Sequence, residues 1–298
     1  MPEQDPTVGS YFFIPYTAAD DGSRPRSGAP PFYVCPSIRL NGAPYAGALI
    51  DPNAPIDVSV VVANRGAVGA PAIVSLYWAN PTTGFTGKHQ IGLDWIVPML
   101  RAYDPIDPSK SRYQTPPQVW TPASSPVPVP AHVCLLAEVA GDTQPADGSY
   151  NAVQDRHYAQ QNLNVLAALP GQTVSFAFQA GNPLAVAGRF RVEARPADEE
   201  TMRFLARSYH AEPAAIGSES VGLRRVSPGD APEARRQIPV ELSPGEIETL
   251  QLVVSIPENF RAPQFVAAMA EQRYRAEADG GAERVVGAVG IAVFPVRG

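Results

Sequence analysis

The sequence is poor in charged residues, and lysine is almost absent. Charged residues make up 17% of the 298, the formal net charge is −6, and Lys88 and Lys110 are the only lysines. Proteins bind the phosphate backbone of nucleic acids through clustered lysine and arginine side chains. We therefore exclude a nucleic-acid-binding surface of this kind and expect no nucleic acid among the partners.

Long hydrophobic runs are also missing. No segment approaches the roughly 18 apolar residues that a membrane-spanning helix needs. Residues 1–16 contain neither the basic stretch nor the uninterrupted apolar stretch of a secretory signal peptide. We expect a protein without a membrane span or signal peptide, located in the cytoplasm or associated with a larger particle.

Cysteine occurs only twice, at Cys35 and Cys134. Both cysteines lie in apolar runs that are typical of strands, and two are too few for a zinc site. Two interpretations remain open at this point. The residues can be buried reduced thiols that pack as small apolar side chains, or a disulfide that joins the first strand of the first domain to a late one.

Motifs of known chemistry are absent as well. The sequence has no Gly-x-Ser-x-Gly elbow, no glycine-rich nucleotide loop and no histidine pair at metal-binding spacing. His132 and His157 could approach each other if their strands pair, although hydrogen bonding at strand ends explains them equally well. Asp142, Asp147 and Asp155 flank one loop, which is either a solvated turn or a calcium site without EF-hand spacing. We predict a protein that is not an enzyme and has no cofactor or metal.

Proline and glycine are frequent, with 33 and 24 residues, while 45% of the chain is hydrophobic. Proline confines strands to short pieces, so this composition favours an all-β protein with long loops. The alternating apolar residues of 58–62 lead to a turn at Asn64. Those of 174–178 lead in the same way to a turn at Asn182. This duplicated pattern predicts two tandem immunoglobulin-like β-sandwiches.

The chain length suits two domains of about 100–150 residues each. We predict an extended N-terminal arm over 1–30, a first immunoglobulin-like sandwich over 31–166 and a second over 167–298. A long proline-rich loop is expected over 98–131, and a short amphipathic helix over 198–209. Strands are predicted near 33–40, 55–63, 71–78, 91–97, 132–139, 156–166, 172–180, 187–195, 236–242, 247–256, 263–273 and 283–295.

Residues 56–66, with the sequence IDVSVVVANRG, resemble the opening of CARDB-type and related immunoglobulin-like bacterial modules. In those modules a V-x-V-x-V-x-N-x-G strand and turn precedes a strand similar to the VSLYW of residues 74–78. Because Asn64 and Gly66 both tolerate a positive φ, we expect them to form the turn through a left-handed backbone.

The resemblance continues in segments 132–137 and 155–162, which are similar to the last two strands of such modules. It covers most of 31–166, but within 167–298 it covers only the Asn182 turn and the order of strands. It implies an immunoglobulin-like fold, and the family's usual role is adhesive or extracellular. The matching motifs are structural, so they imply little about activity.

Aromatic residues are concentrated near the N-terminus, where Tyr11, Phe12, Phe13, Ile14 and Tyr16 fall within six residues. Such a cluster is too costly to leave in water. Either it covers the edge of the first domain's own core, or the arm docks on a neighbouring subunit by adding to a sheet edge.

Trp95, Tyr113 and Trp120 lie in or next to the proline-rich loop, and a loop of this length is usually functional or interfacial. We predict a non-enzymatic structural or interaction protein that forms homo- or hetero-oligomers as an assembly or adaptor component of a larger bacterial or phage-like particle. The N-terminal cluster and these three aromatic residues would form its contacts. The alternatives are a carbohydrate- or ligand-binding module, in which the three aromatics stack on sugars, and an accessory domain to a partner enzyme.

Overall fold

The computed structural model describes residues 6–25, 30–44, 47, 50–51, 53–141, 151–226, 233–275 and 283–296. Over these residues the fold is all-β, and its sheets form two immunoglobulin-like sandwiches joined end to end in the chain, as predicted. Asp142 and Asp147, which were considered as calcium ligands, lie outside the described residues.

The first sandwich has β4 at the centre of one sheet and β5 at the centre of the other. In the first sheet β4 pairs with β1, β2, β8 and β9, while in the second β5 pairs with β6, β7 and β10, and β11 lies outside β10. The strands are β1 (Phe12–Phe13), β2 (Ile38–Leu40), β3 (Ala43–Pro44), β4 (Ile56–Asn64), β5 (Ala70–Ala79), β6 (His89–Gln90), β7 (Trp95–Leu100), β8 (Arg112–Gln114), β9 (Gln118–Trp120), β10 (Cys134–Ala140) and β11 (Tyr158–Gln161).

The second sandwich contains a sheet in the order β12-β20-β19-β14-β17, with β15 added to β19, and a smaller sheet in the order β13-β18-β16. The strand β12 runs parallel to β20 and forms an edge of the larger sheet. The strands are β12 (Leu163–Ala168), β13 (Thr173–Gly181), β14 (Gly188–Pro196), β15 (Glu212–Pro213), β16 (Val221–Arg225), β17 (Gln237–Leu242), β18 (Ile247–Ser255), β19 (Gln264–Arg275) and β20 (Glu283–Pro295).

The predicted helix is present as α1 (Glu199–Tyr209), inserted between β14 and β15. Asp198 caps its first turn by accepting the N–H of Thr201 at 2.8 Å, and the helix ends at His210, which has a φ of 51°. Leu205 is buried against the outer face of the larger sheet, so α1 acts as a cover for that face.

Asn64 and Asn182 organise equivalent turns in the two sandwiches. In each, the side-chain oxygen accepts the N–H two residues further on, at 2.7 and 2.9 Å, and the side-chain nitrogen donates to the carbonyl four residues further on, at 2.9 and 2.8 Å. Neither Asn64 nor Gly66 has a positive φ, so the expected left-handed turn is wrong. Gly66 is required instead by close approach, because a Cβ there would lie 2.1 Å from the carbonyl oxygen of Gly9.

One predicted strand is in fact two. The segment predicted as a strand over 156–166 divides into β11 and β12, which belong to different sandwiches. The chain crosses between them at Asn162, whose side-chain nitrogen donates to the carbonyl of Ala288 at 3.0 Å. The predicted domain limits remain a prediction. The structure adds β8 and β9 within the proline-rich loop and β16 in the second sandwich, which were not predicted.

The two sandwiches share a hydrophobic cluster. Leu136 and Tyr158, on the outer face of the β5 sheet, are buried in the same cluster as Phe178 and Leu250 of the second sandwich. The inner face of the β5 sheet packs on the core of the first sandwich, which includes Trp78. The β5 sheet is therefore covered on both faces where the sandwiches meet.

Candidate interaction surface

The N-terminal aromatic cluster is buried within its own chain. Tyr11, Phe12, Phe13, Ile14 and Tyr16 are each at most 3% exposed, and β1 pairs with the end of β4. The prediction that these residues contact a neighbouring subunit is therefore wrong, because their apolar surface already covers the first sandwich. The structure has the alternative arrangement, in which these residues cover the edge of their own core.

The aromatic residues of the proline-rich loop are not a stacking surface either. Trp95 and Trp120 are buried in the core of the first sandwich, and Tyr113 is half-buried against it. The indole N–H of Trp95 donates to the carbonyl of Pro116 at 2.7 Å, which holds the loop on the sandwich. Trp95 and Trp120 are therefore not accessible for an interface, and a sugar could not stack on their buried indole rings. The predicted contact role of Tyr113 stays a prediction.

The two cysteines are free and buried. Cys35 belongs to the core of the first sandwich, whereas Cys134 belongs to the cluster shared by the sandwiches. The possible Cys35–Cys134 disulfide is therefore wrong, and the interpretation as small buried thiols holds. Burial raises the pKa of the Cys134 thiol to about 12, so this thiol stays protonated and is a poor nucleophile.

The histidines considered above do not come together. His132 precedes β10 and His157 precedes β11, at opposite ends of that antiparallel pair. The ring of His132 contacts Phe176 edge-on, with 5.6 Å between centroids. The Nδ1 of His157 lies 2.6 Å from a carboxylate oxygen of Asp155. Among the described residues no group of three His, Cys, Asp or Glu side chains is placed to hold a metal ion.

The open end of the outer face of the β5 sheet carries exposed apolar side chains. Ile73 of β5 and Ile96 of β7 lie directly opposite each other, and they are 47% and 78% exposed. Pro71 and Pro98 are exposed beyond them, and Ala140 of β10 lies beside Ile73. We call Pro71, Ile73, Ile96 and Pro98 the isoleucine face.

Alternation along β5 and β7 places apolar side chains on both faces of this part of the sheet. Val74, Val97 and Trp95 point inward and are buried in the core, so Ile73 and Ile96 must point outward. The partner strand β7 lies at the edge of its sheet. Natural edge strands are usually protected by charged side chains or proline. Here Pro98 supplies the proline, and no charged side chain stands between Trp95 and Leu100.

A belt of charged side chains separates the isoleucine face from the buried junction of the sandwiches. Glu138 lies beside Ser75 in the β10–β5 pair, and the Nζ of Lys88 lies 4.0 Å from its carboxylate and 3.5 Å above the ring of Tyr77. Burial raises the pKa of Glu138, an effect that Lys88 and His157 oppose, and burial lowers the pKa of Lys88.

Asp94 is the belt residue closest to the isoleucine face, two residues before Ile96. One of its carboxylate oxygens accepts hydrogen bonds from the Ser75 hydroxyl at 2.7 Å and the Gln90 amide at 2.8 Å. No described residue forms an ion pair with Asp94. We call Asp94, Glu138, Asp155, Lys88 and His157 the acidic belt, because three carboxylates accompany one lysine and one histidine.

An apolar centre beside polar and charged side chains is the arrangement of a protein–protein interface. Apolar patches on an exposed sheet face favour a docking partner over solvent. The sequence contained a signal for this surface, since Ile73 and Ile96 occupy outward positions in strands with inward valines. The residues predicted as contacts are mostly aromatic, and all of them except Tyr113 are buried in the structure.

Comparison with known proteins adds little. No protein-family model and no curated protein matches the chain. It is similar to a family 123 glycoside hydrolase from Clostridium perfringens at 12% identity, over 46% of the chain and 23% of the hydrolase, with a TM-score of 0.29. For the PapD-like domain of human CEP192 these values are 10%, 46%, 82% and 0.26, and for the collagen adhesin of S. aureus they are 7%, 86%, 91% and 0.22. Likenesses this weak carry no argument about fold or activity.

The hydrolase extends far beyond the similar region, because the chain spans less than a quarter of its length.

In the part of the chain that the structure describes, no helix has the length and apolar character needed to cross a bilayer.

Proposed function

We propose that this chain is a non-enzymatic interaction protein that serves as a subunit or adaptor in a larger assembly, such as a bacterial or phage-like particle. The isoleucine face would be its contact surface. The observation that supports this proposal is the exposure of Ile73 and Ile96 as direct neighbours on a sheet that is covered elsewhere on the same face.

Energetics support the choice of this face. Full burial of an isoleucine side chain is worth about 1.5–3 kcal/mol relative to its exposed state. Ile73 and Ile96 lie on paired strands of one sheet, so this chain would lose little backbone freedom when a partner covers them. The acidic belt would form the polar rim and restrict which partners can dock.

The proposal includes three finer points. Residues 31–166 would be a CARDB-type module, which rests on the sequence resemblance and the bonding of the Asn64 side chain. The chain would have no catalytic activity of its own, which rests on the lack of catalytic motifs in the sequence. It would act in the cytoplasm or within a particle.

The test is photo-crosslinking in cells of the organism that makes the protein. A benzophenone side chain at position 96 should give an adduct of defined mass, because this position would lie inside the interface. The matched control places the same side chain at position 186, where Val186 is 58% exposed in the second sandwich. We expect no such adduct there.

A second variant makes the result specific. Adding Ile73→Asp to the position-96 probe should remove the adduct, since a carboxylate opposite residue 96 would be buried without a partner. If position 96 gives no adduct, or the same adducts as position 186, the isoleucine face is not an interface and the proposed function fails.

A further inference from the structure

The loop between β5 and β6, residues 80–88 of the first sandwich, is inserted into the second sandwich. Thr82, Thr83 and Phe85 of this β5–β6 loop are each at most 2% exposed. Phe85 belongs to the hydrophobic cluster that the two sandwiches share, together with Phe178 of β13. Connecting loops usually run over the protein surface, so this burial indicates that the loop has a role at the junction.

Backbone hydrogen bonds join the β5–β6 loop to β13. The N–H of Gln179 donates to the carbonyl of Pro81 at 2.7 Å, and the N–H of Thr83 donates to the carbonyl of Gln179 at 2.9 Å. Thr82 therefore forms a parallel bridge with Gln179, and its hydroxyl donates to the Gln179 carbonyl at 2.9 Å. A loop of the first sandwich thus extends a sheet of the second at the edge strand β13.

A buried glutamine of the second sandwich completes this contact. Gln272 of β19 is fully buried, and its side-chain oxygen accepts a hydrogen bond from the hydroxyl of Thr83. Its side-chain nitrogen donates to the carbonyl of Gly181 at 2.9 Å. A buried polar group that loses its hydrogen bond is unfavourable. A rotation of one sandwich against the other would therefore have to break several buried hydrogen bonds at once.

Two glycines allow the backbones of the two sandwiches to come this close. A Cβ at Gly84 would lie 2.5 Å from the carbonyl oxygen of Gly181, and a Cβ at Gly287 would lie 1.7 Å from that of Thr83. Gly287 is directly opposite Gln272 in the β19–β20 pair. Neither Gly84 nor Gly287 has a positive φ, so the close approach is what requires glycine here.

The covalent crossing between the sandwiches is less completely bonded than the loop. Asn162 donates from its side-chain nitrogen to the carbonyl of Ala288 at 3.0 Å. The side-chain oxygens of Asn162 and Asn164, and both polar side-chain atoms of Gln161, are buried without a hydrogen-bond partner among the described residues. The hydrogen bonds that favour one orientation of the sandwiches therefore come mainly from the β5–β6 loop.

We propose that the β5–β6 loop is a lock that holds the two sandwiches in one orientation, so that the chain moves as a single rigid body. Tandem domains move relative to each other by default, unless their interface is large and hydrophobic. Here the shared cluster supplies apolar contact, and the loop supplies directional hydrogen bonds that select one orientation. This inference goes beyond the proposed function and does not depend on the isoleucine face or its partner.

The experiment measures distances between two spin labels on the full chain. The labels are attached through Val68→Cys in the first sandwich and Val186→Cys in the second, at positions that are 51% and 58% exposed. Cys35 and Cys134 are free but fully buried, so they should not react with the label in the folded chain. This labelled parent chain should give one narrow distribution of distances, because a rigid body has a single separation.

Two substitutions press on the lock from its two sides. Gly84→Ala and Gly287→Ala should each broaden the distribution about twofold or more, as expected for domains that move independently. Gly87→Ala is the matched control in the same loop, because Gly87 has no positive φ and a Cβ there would meet no atom within 4 Å. It should leave the distribution unchanged. Far-UV circular dichroism and tryptophan fluorescence check that each variant is folded.

A broad distribution in the labelled parent chain would overturn the inference, since the sandwiches would then move independently. An unchanged narrow distribution in the folded alanine variants would overturn it too, because the shared cluster alone would then hold the orientation. If neither alanine variant folds, Thr83→Val decides, since it removes the hydroxyl that is bonded to Gln272. Broadening there supports the lock, and an unchanged distribution refutes it. The crosslink at position 96 tests the proposed function separately from all of these outcomes.

Discussion

The two sandwiches each have a sheet with an apolar outer face, and they differ in how that face is covered. In the second sandwich α1 and Tyr33 bury most of the outer face of β19 and β20. In the first sandwich the second sandwich covers only one end of the β5 sheet, and Ile73 and Ile96 remain open at the other. The same strand pattern thus becomes core or surface according to what lies over it.

The covering elements, more than the strands, decide which sheet faces stay accessible. Alternation fixes which side chains point outward, but not whether another element lies above them. A face that stays open keeps its apolar surface available for another molecule. Substitutions under a cover should therefore cost stability, whereas substitutions on the open face should not.

The largest effect is expected from removing a cover of the first sandwich. Deletion of residues 1–20 takes away five large buried side chains between Tyr11 and Tyr16, and also the pairing of β1 with β4. Burial of each such side chain is worth about 1.5–3 kcal/mol, so we expect a loss of at least about 5 kcal/mol in unfolding free energy. That loss would unfold the first sandwich or leave it marginal.

Tryptophan fluorescence during urea unfolding measures this effect selectively. The chain's three tryptophans, Trp78, Trp95 and Trp120, all lie in the first sandwich. Val8→Ala is the control, since Val8 is 76% exposed and should change stability by less than about 0.5 kcal/mol. An unchanged unfolding midpoint after the deletion would show that the N-terminal segment is not a cover.

The next effect compares the two outer faces directly. Leu205→Ala, on the buried side of α1, should lower the unfolding free energy by about 3 kcal/mol, because it leaves a cavity between the helix and the sheet. Ile96→Ala, on the open face, should change it by less than about 0.5 kcal/mol. Circular dichroism in urea measures both. Equal losses would mean that the two faces are covered alike in solution.

The sequence predicted the architecture well because the strands carry their own signals. The alternating residues of β4, β13 and β18 and the capped start of α1 after Asp198 are all local patterns. The strand β16 and the short strands β8 and β9 were missed. Two of these, β8 and β9, stand among prolines, and their pairing with β4 depends on distant residues.

The proposed contact surface was harder to predict, for a physical reason. An aromatic residue signals burial or contact, but the sequence does not tell which of the two applies. Trp95 and Trp120 lie in the core, while Ile96, the residue after Trp95, lies on the surface. The crossing at Asn162 was missed because the single strand predicted over 156–166 is two strands that belong to different sheets.

The smallest effect concerns the acidic belt and its dependence on pH. Burial raises the pKa of Glu138 above its ordinary value of 4.5, with Lys88 and His157 opposing the shift. The folded chain therefore holds this proton at pH values where the unfolded chain has already lost it. The contribution of Glu138 to stability is present below pH 4.5 and declines as pH rises through its folded pKa.

Glu138→Gln should remove that decline, since glutamine does not titrate. The difference from wild type in the pH dependence of the unfolding free energy should be confined to the interval just above pH 4.5. Its total size should stay below about 1 kcal/mol, because solvent screens part of the effect. Glu241→Gln is the matched control, at an exposed carboxylate that pairs with Arg189 in the second sandwich. If both variants keep the wild-type profile, the belt is as solvated as the outer strands of the second sandwich, and it would not form a partly buried rim beside the isoleucine face.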